Sequence, residues 1–282
     1  MGRTVASSTR GARLLLASVG LALVVLAGIG GPYILPYSPV DVRLDQRLRP
    51  PGTRLPDRRV AWLGTDQLGR DLWAQAVHGA RVSLLVAAST VVIAGGIGIP
   101  LGLLAGYYGG ATGSVIMRFS DFQLAIPPFL LAVLIAAVLG QSVVNVIAIL
   151  SVIRWAAFAR LAHGETLSLK NNDYVEAARA LGATHAGVMR RHLFPNMLTP
   201  VIIVAALLVA TQMLAEAALS FIGLGIPPST PSLGVTVSQG RNYLDSAWWI
   251  STMPGLVLTL IVVAVAWFGD ALRDYFDPRL RY

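Results

Sequence analysis

The chain has 282 residues, 55% of them hydrophobic and only 13% charged, with a formal net charge of +8. Soluble domains carry about 25% charged residues, and several apolar runs here reach the roughly 20 residues that span a bilayer as a helix, so the composition excludes an ordinary soluble protein and predicts an all-α, polytopic membrane protein. There is no cysteine, hence no disulfide and no thiolate metal site; apart from Lys170 the positive charge is arginine in loops and ends, where membrane orientation and partner subunits account for it better than nucleic acid.

Residues 1–13 are polar and contain Arg3, Arg10 and Arg13 without an acid. Residues 14–36 follow as an uncharged apolar run. A secretory signal has a shorter apolar core, about 7–15 residues, and a small-residue cleavage site; this run is longer and ends in Pro and Tyr, so it reads as an uncleaved first span. Residues 37–80 form the longest polar segment, with Pro39, Pro50, Pro51 and Pro56 in an irregular first half. In its second half Leu68, Leu72 and Ala76 lie at helical spacing, which predicts a short helix on the membrane surface. This segment reads either as a solvated cap on the outer face or as a docking surface for a partner.

The second span is expected over Val82–Tyr108, where Gly98, Gly102, Gly106 and Gly110 recur every four residues. Such a stripe lets helices approach closely in lipid, and Pro100 within it predicts a kink. A turn containing Arg118 leads to a third span, Phe122–Leu139, interrupted by Pro127 and Pro128. Non-helical backbone at that depth is tolerated only against protein or a water-filled cavity, so Ile126–Phe129 is either a pathway segment or a packing kink. The fourth span runs to Ala159 with Arg154 near its inner end, within reach of the interface. The fifth, Val201–Ile226, contains Glu216, an intramembrane carboxylate and so a functional candidate by default; the alternative is a structural hydrogen-bond partner. A PPSTPSLG turn follows, then Tyr243–Trp249, whose Trp248 and Trp249 fit an interfacial aromatic belt. The sixth span is Ile250–Phe268, ending in GDALRDYFDPRLRY.

Between the fourth and fifth spans lies the only long polar interruption of the second half, NNDYVEAARALGATHAGVMRRHLFPNMLTP. Asp173 is expected to cap a helix in a capping box with Glu176. Gly182 falls where a left-handed cap ends it, Thr184 caps a second short helix, and Pro195 stops that one.

This wording resembles the cytoplasmic EAA loop of the membrane subunits of ATP-driven importers: Glu176, Ala177, Ala178, Gly182 and Pro195 match in register, with Arg179 and Ala183 beside them. YVEAARALGA with RHLFPN, together with Gly64–Asp71 (GTDQLGRD), the phrase LSFIGLGIPP and the C-terminal phrase, is similar to the dipeptide/oligopeptide/nickel branch of these permeases. The resemblance implies an ABC type I importer permease fold with about six transmembrane helices in a bacterial plasma (inner) membrane. The implied layout is a cytoplasmic N-terminus (1–13), a first helix (14–36), an extracytoplasmic loop (37–80), a five-helix core (81–272) holding the EAA loop at 160–198, and a cytoplasmic tail (273–282). The implied partners are a second, related permease, two cytoplasmic ATPases that bind ATP and Mg, an extracytoplasmic solute-binding protein and the lipid bilayer. No cofactor is expected in this chain itself. Peptides are the expected cargo, with nickel chelates, haem or other small solutes as the alternative. Glu176 either caps its own helix or bonds the ATPase.

Six spans put both ends on one side. With the N-terminus inside, the inner segments are rich in arginine and the later outer loops nearly free of it, as the positive-inside rule requires. The first outer loop departs from the rule with seven arginines between Arg43 and Arg70. Enzymatic readings find no support. A phosphate-binding loop needs Gly-Lys-Ser/Thr, and the sole lysine follows Leu169. There is no HExxH and no Gly-x-Ser-x-Gly. His78, His163, His185 and His192 are the only histidines, and His185 and His192, seven apart, read as a solvated loop face. An ATP-independent secondary transporter is the rival class; it leaves the EAA loop unexplained.

Overall fold

In a computed structural model, residues 2–34, 38–56 and 58–276 are described; the C-terminal phrase from residue 277 onward lies outside them. The apolar runs are helical, as they must be where no water satisfies backbone polar groups. They are α1 (Gly2–Ile34), α2 (Leu72–Tyr108), α3 (Gly110–Ala125), α4 (Pro128–Leu139), α5 (Val143–Leu169), α6 (Asp173–Ala180), α7 (His185–Val188), α8 (Phe194–Phe221), α9 (Leu233–Gly240) and α10 (Trp249–Phe276). A two-residue hairpin, β1 (Thr53–Arg54) with β2 (Val60–Ala61), is the sheet among the described residues. Five helical stretches are long and apolar enough to cross a membrane: α1, α2, α5, the run from α7 through α8, and α10. The pair α3 and α4, bent by 86°, supplies a sixth span when taken as one.

Several boundaries differ from the sequence expectation. The surface helix expected around Leu68, Leu72 and Ala76 does not form as a separate element: Leu68 lies in a turn and α2 begins at Leu72. Asp71 Oδ1 accepts the N–H groups of Trp73 (2.8 Å) and Ala74 (3.2 Å), and past this N-cap no proline interrupts the helix before Pro100. Arg118 lies inside α3 rather than in a turn. The fourth span continues ten residues beyond Ala159, because Ala162 and Thr166 remain buried. Arg154 is therefore a mid-helix residue and not one at the inner end. The last span likewise continues to Phe276 through residues assigned to a tail.

The core lies along the seams among α2, α5, α8 and α10. The glycine stripe explains the closest of these. A β-carbon on Gly98 or Gly102 would overlap the carbonyl oxygens of Trp155 and Ala159, and one on Gly106 would lie 2.6 Å from Thr166 Cβ. Gly110 does not extend the stripe: with Gly109 it forms a positive-φ turn into α3, and a β-carbon there would meet nothing.

At the opposite end from α6, the Gly64–Asp71 motif is an internal hub. Asp66 is fully buried; its Oδ1 accepts the N–H of Leu68 (2.8 Å) and Arg70 (2.9 Å). Its Oδ2 accepts from Arg70 Nε (2.6 Å) and Gln75 Nε2 (2.9 Å). Arg70 Nη2 also donates to Gln239 Oε1 in α9 (2.7 Å). One of the arginines that break the positive-inside count is thus consumed inside the fold. Trp249 is buried rather than interfacial and donates Nε1–H to Thr65 O (3.2 Å); Trp248 remains half exposed.

Candidate functional site

The EAA loop folds as two short helices around a glycine turn. Asn172, not Asp173, occupies the N-cap position of α6, and no side chain caps it. Val175 and Glu176 donate their N–H groups to Asn172 O (2.8 and 3.2 Å). The expected capping box is therefore absent; Asp173 and Glu176 stand in the first turn, where their charge suits the helix dipole. Gly182 adopts φ +85°. Around it Leu181 N–H donates to Ala177 O (3.0 Å), Gly182 N–H to Arg179 O (2.9 Å) and Ala183 N–H to Ala178 O (3.0 Å), a Schellman-type ending. Thr184 Oγ1 accepts from Gly187 N–H (3.1 Å) and caps α7.

Pro195 does not stop α7. A single wide turn, Met189–Leu193, joins α7 to α8, and Pro195 sits in the first turn of α8. The missing N–H is harmless there. The loop therefore runs into the fifth span without a break in helical character.

One face of this unit is anchored and the other is open. Val175, Val188 and Leu193 are fully buried against Tyr107 at the end of α2, with Leu103, Leu169 and Met189 around them. Tyr107 Oη lies 2.7 Å from His185 Nδ1, and the Arg179 guanidinium stacks 5.3 Å from the Tyr107 ring. Lys170 Nζ donates to Gly106 O (3.0 Å). On the open face Glu176, Ala177, Ala180, Gly182 and Ala183 are exposed, Ala178 is half buried, and Leu181 is 89% exposed; Arg179 bridges the two faces, exposed overall while its guanidinium leans on Tyr107. A fully presented leucine among alanines suits a surface that another protein covers. The anchors Tyr107, Val175 and Leu193 were not singled out from sequence; the apolar i, i+13 and i+18 spacing of Val175, Val188 and Leu193 carries no recognisable period across a turn.

The intramembrane candidates separate. Ile126 and Pro127 form the break between α3 and α4, while Pro128 begins α4; Phe129 is exposed beyond it. Glu216 is fully buried. Its Oε2 accepts from Ser83 Oγ of α2 (2.8 Å), and its Oε1 from Ser220 Oγ (2.8 Å) and Ser232 Oγ (3.0 Å). It ties α8 to α2 and to the start of α9. Among the described residues no group of three His, Asp or Glu side chains could hold a metal ion.

The described residues thus form a helical bundle with five or six candidate spans, the α6–α7 loop at one end and the Asp66 lobe at the other. The chain belongs to the family described as binding-protein-dependent transport system inner membrane component, whose model matches residues 98–282; it is the membrane permease subunit of an ATP-binding-cassette importer. A di/tripeptide transport system permease of Pseudomonas aeruginosa is 40% identical over 261 residues, covering 93% of this chain and 86% of that protein. A probable D,D-dipeptide transport system permease of Escherichia coli is 36% identical over 262 residues, covering 93% and 86%. A glutathione transport system permease of Pectobacterium atrosepticum is 34% identical over 266 residues, covering 94% and 87%. In fold the chain is similar to a solved chain of the MetNI methionine ABC transporter in an inward-facing conformation (TM-score 0.60, 20% identity, 73% of this chain and 98% of that one).

Proposed function

We propose that this chain is one half of a peptide-importing pathway, paired with a second, related permease and driven by two ATPase subunits that dock on α6. Peptide cargo is supported by the relatives, named for di/tripeptide, D,D-dipeptide and glutathione transport. The observation that carries the coupling role is the two-sidedness of α6: Val175 is buried against α2 while Glu176, Ala177, Ala180 and Leu181 face outward. Small outward residues admit a close-fitting groove, and Arg179 offers charge to acids on the partner. ATP-driven closure of the ATPases then displaces α6 and rocks the spans between inward- and outward-facing states. This orientation puts the α6 end and both termini in the cytoplasm, with the lobe around Asp66 and α9 facing an extracytoplasmic binding protein. ATP and Mg belong to the partner chains.

The test is co-purification in detergent followed by uptake in proteoliposomes, comparing wild type, Glu176→Ala and Gly182→Val. Valine at φ +85° is strained, so Gly182→Val disrupts the turn. Recovery of a second permease and ATPases with wild type, and loss of ATPase recovery and peptide uptake with the turn variant, is expected. A chain that purifies alone and transports without ATP rejects the proposal.

A further inference from the structure

Arg154 is a half-buried cation on α5 with no ion pair, hydrogen bond or ring contact among the described residues. It lies eleven residues into α5, about 16 Å along the axis at 1.5 Å per residue, close to the middle of a hydrocarbon core about 30 Å thick. Such a residue is costly in lipid and marks a pathway or a partner.

The helix register gives it company. On α5, Phe158 and Leu161 pack with Val201, Ala205 and Leu208 of α8. Arg154 is one turn from Phe158 on that same face. On α8 the stripe Val201, Ala205, Leu208 continues through Gln212 to Ala215 and Leu219, and these last two pack with Ile147 and Leu150 of α5. By helix register, Gln212 and Arg154 fall between those two apolar layers of the α5–α8 seam. Gln212 is fully buried, and neither its Oε1 nor its Nε2 has a partner. Thr90, two turns along α2 from Ser83 on the α8-facing side, is also fully buried with an unpartnered Oγ1. Its carbonyl accepts from Ser151 Oγ (3.4 Å), one turn from Arg154. Glu216, one turn from Gln212, is committed to three serines, and Asp121 of α3 to Arg160.

We propose that Arg154 and Gln212, with Thr90 behind them, form a midplane site that binds the terminal carboxylate of the cargo in transit. A guanidinium matches a carboxylate with two parallel N–H···O bonds, and a buried amide with both ends free supplies a further donor. The inference rests on the peptide-cargo reading above: every free peptide ends in a carboxylate, and one Arg–amide clamp reads that end whatever the side chains.

The experiment uses the whole importer in proteoliposomes with its binding protein and trialanine as the probe, comparing wild type, Arg154→Lys, Arg154→Met and Gln212→Leu. Methionine keeps length and packing without charge; lysine keeps charge without the fork. Arg154→Met is expected to lower uptake at least tenfold while subunit recovery and binding-protein-stimulated ATP hydrolysis remain within twofold of wild type. Arg154→Lys should retain an intermediate rate, and Gln212→Leu should raise the concentration for half-maximal uptake. Loss of the second permease from Arg154→Met assigns the arginine to a subunit contact and overturns the proposal, as does uptake by Arg154→Met equal to wild type. Absence of ATP-dependent trialanine uptake by wild type rejects the peptide-cargo reading itself, and the site falls with it.

Discussion

Tyr107 Oη, at the end of α2, and His185 Nδ1, at the start of α7, lie 2.7 Å apart and join α2 to the loop that follows α5. Around this contact the Tyr107 ring covers Val175, Val188 and Leu193. Tyr107→Phe keeps the packing and removes one hydrogen bond, a loss of about 1 kcal/mol. Tyr107→Ala empties the apolar socket as well, at about 3–5 kcal/mol. Hydrogen exchange over residues 173–193 should rise slightly in the first variant and strongly in the second, with ATP-coupled uptake following the same order.

Close approach of α2 to α5 predicts a sharp contrast between glycines. Gly102→Val forces a side chain into the Ala159 carbonyl, whereas a β-carbon at Gly96 meets nothing. Expression and thermal stability of the purified protein should collapse for Gly102→Val and stay within about 0.5 kcal/mol of wild type for Gly96→Ala. Equal behaviour of the two would remove backbone contact as the reason for the stripe.

At Glu216, three serine hydroxyls converge on one carboxylate. Glu216→Leu leaves those donors without an acceptor, each such loss costing about 1–3 kcal/mol. Glu216→Gln keeps one acceptor oxygen and should fall between. Thermal unfolding in detergent should rank wild type above Gln above Leu. A Leu variant as stable as wild type would show that the serines find other partners.

The buried Asp66–Arg70 pair gives a fourth expectation. Asp66→Ala strands Arg70, which is 8% exposed, and breaking a buried pair from one side costs about 3–5 kcal/mol. Limited proteolysis should then cut within residues 38–70 at protease levels that spare the wild type. Arg54→Ala, on the exposed hairpin, should not change the pattern.

Much of this architecture is readable as apolar runs punctuated by proline and glycine, and the α6–α7 loop is legible because Gly182 and Thr184 act through local backbone chemistry. The misreadings share another cause. Residues 160–169 look like loop because Arg160, His163 and Glu165 are polar, yet Ala162 and Thr166 face the glycines of α2 and keep α5 helical. Pro195 looks like a stop, but the same residue is equally compatible with a first turn, and the continuing helix decides between them. Asp66 and Glu216 attract notice as charges. Their partners Gln239, Ser83 and Ser232 do not, because a serine or glutamine is distinguished only by what the fold sets opposite it.

The backbone contact of Gly98 and Gly102 with α5 has a mechanical consequence. Where two helices meet this closely there is little side-chain layer to shear, so α2 and α5 are expected to tilt together along that contact. α2 alone is 37 residues, about 55 Å, with Tyr107 at one tip and the Asp71 cap at the other. If the pair tilts as one, a displacement at the Tyr107 tip reaches the Asp71 tip through stiffness rather than through a chain of intermediate rearrangements.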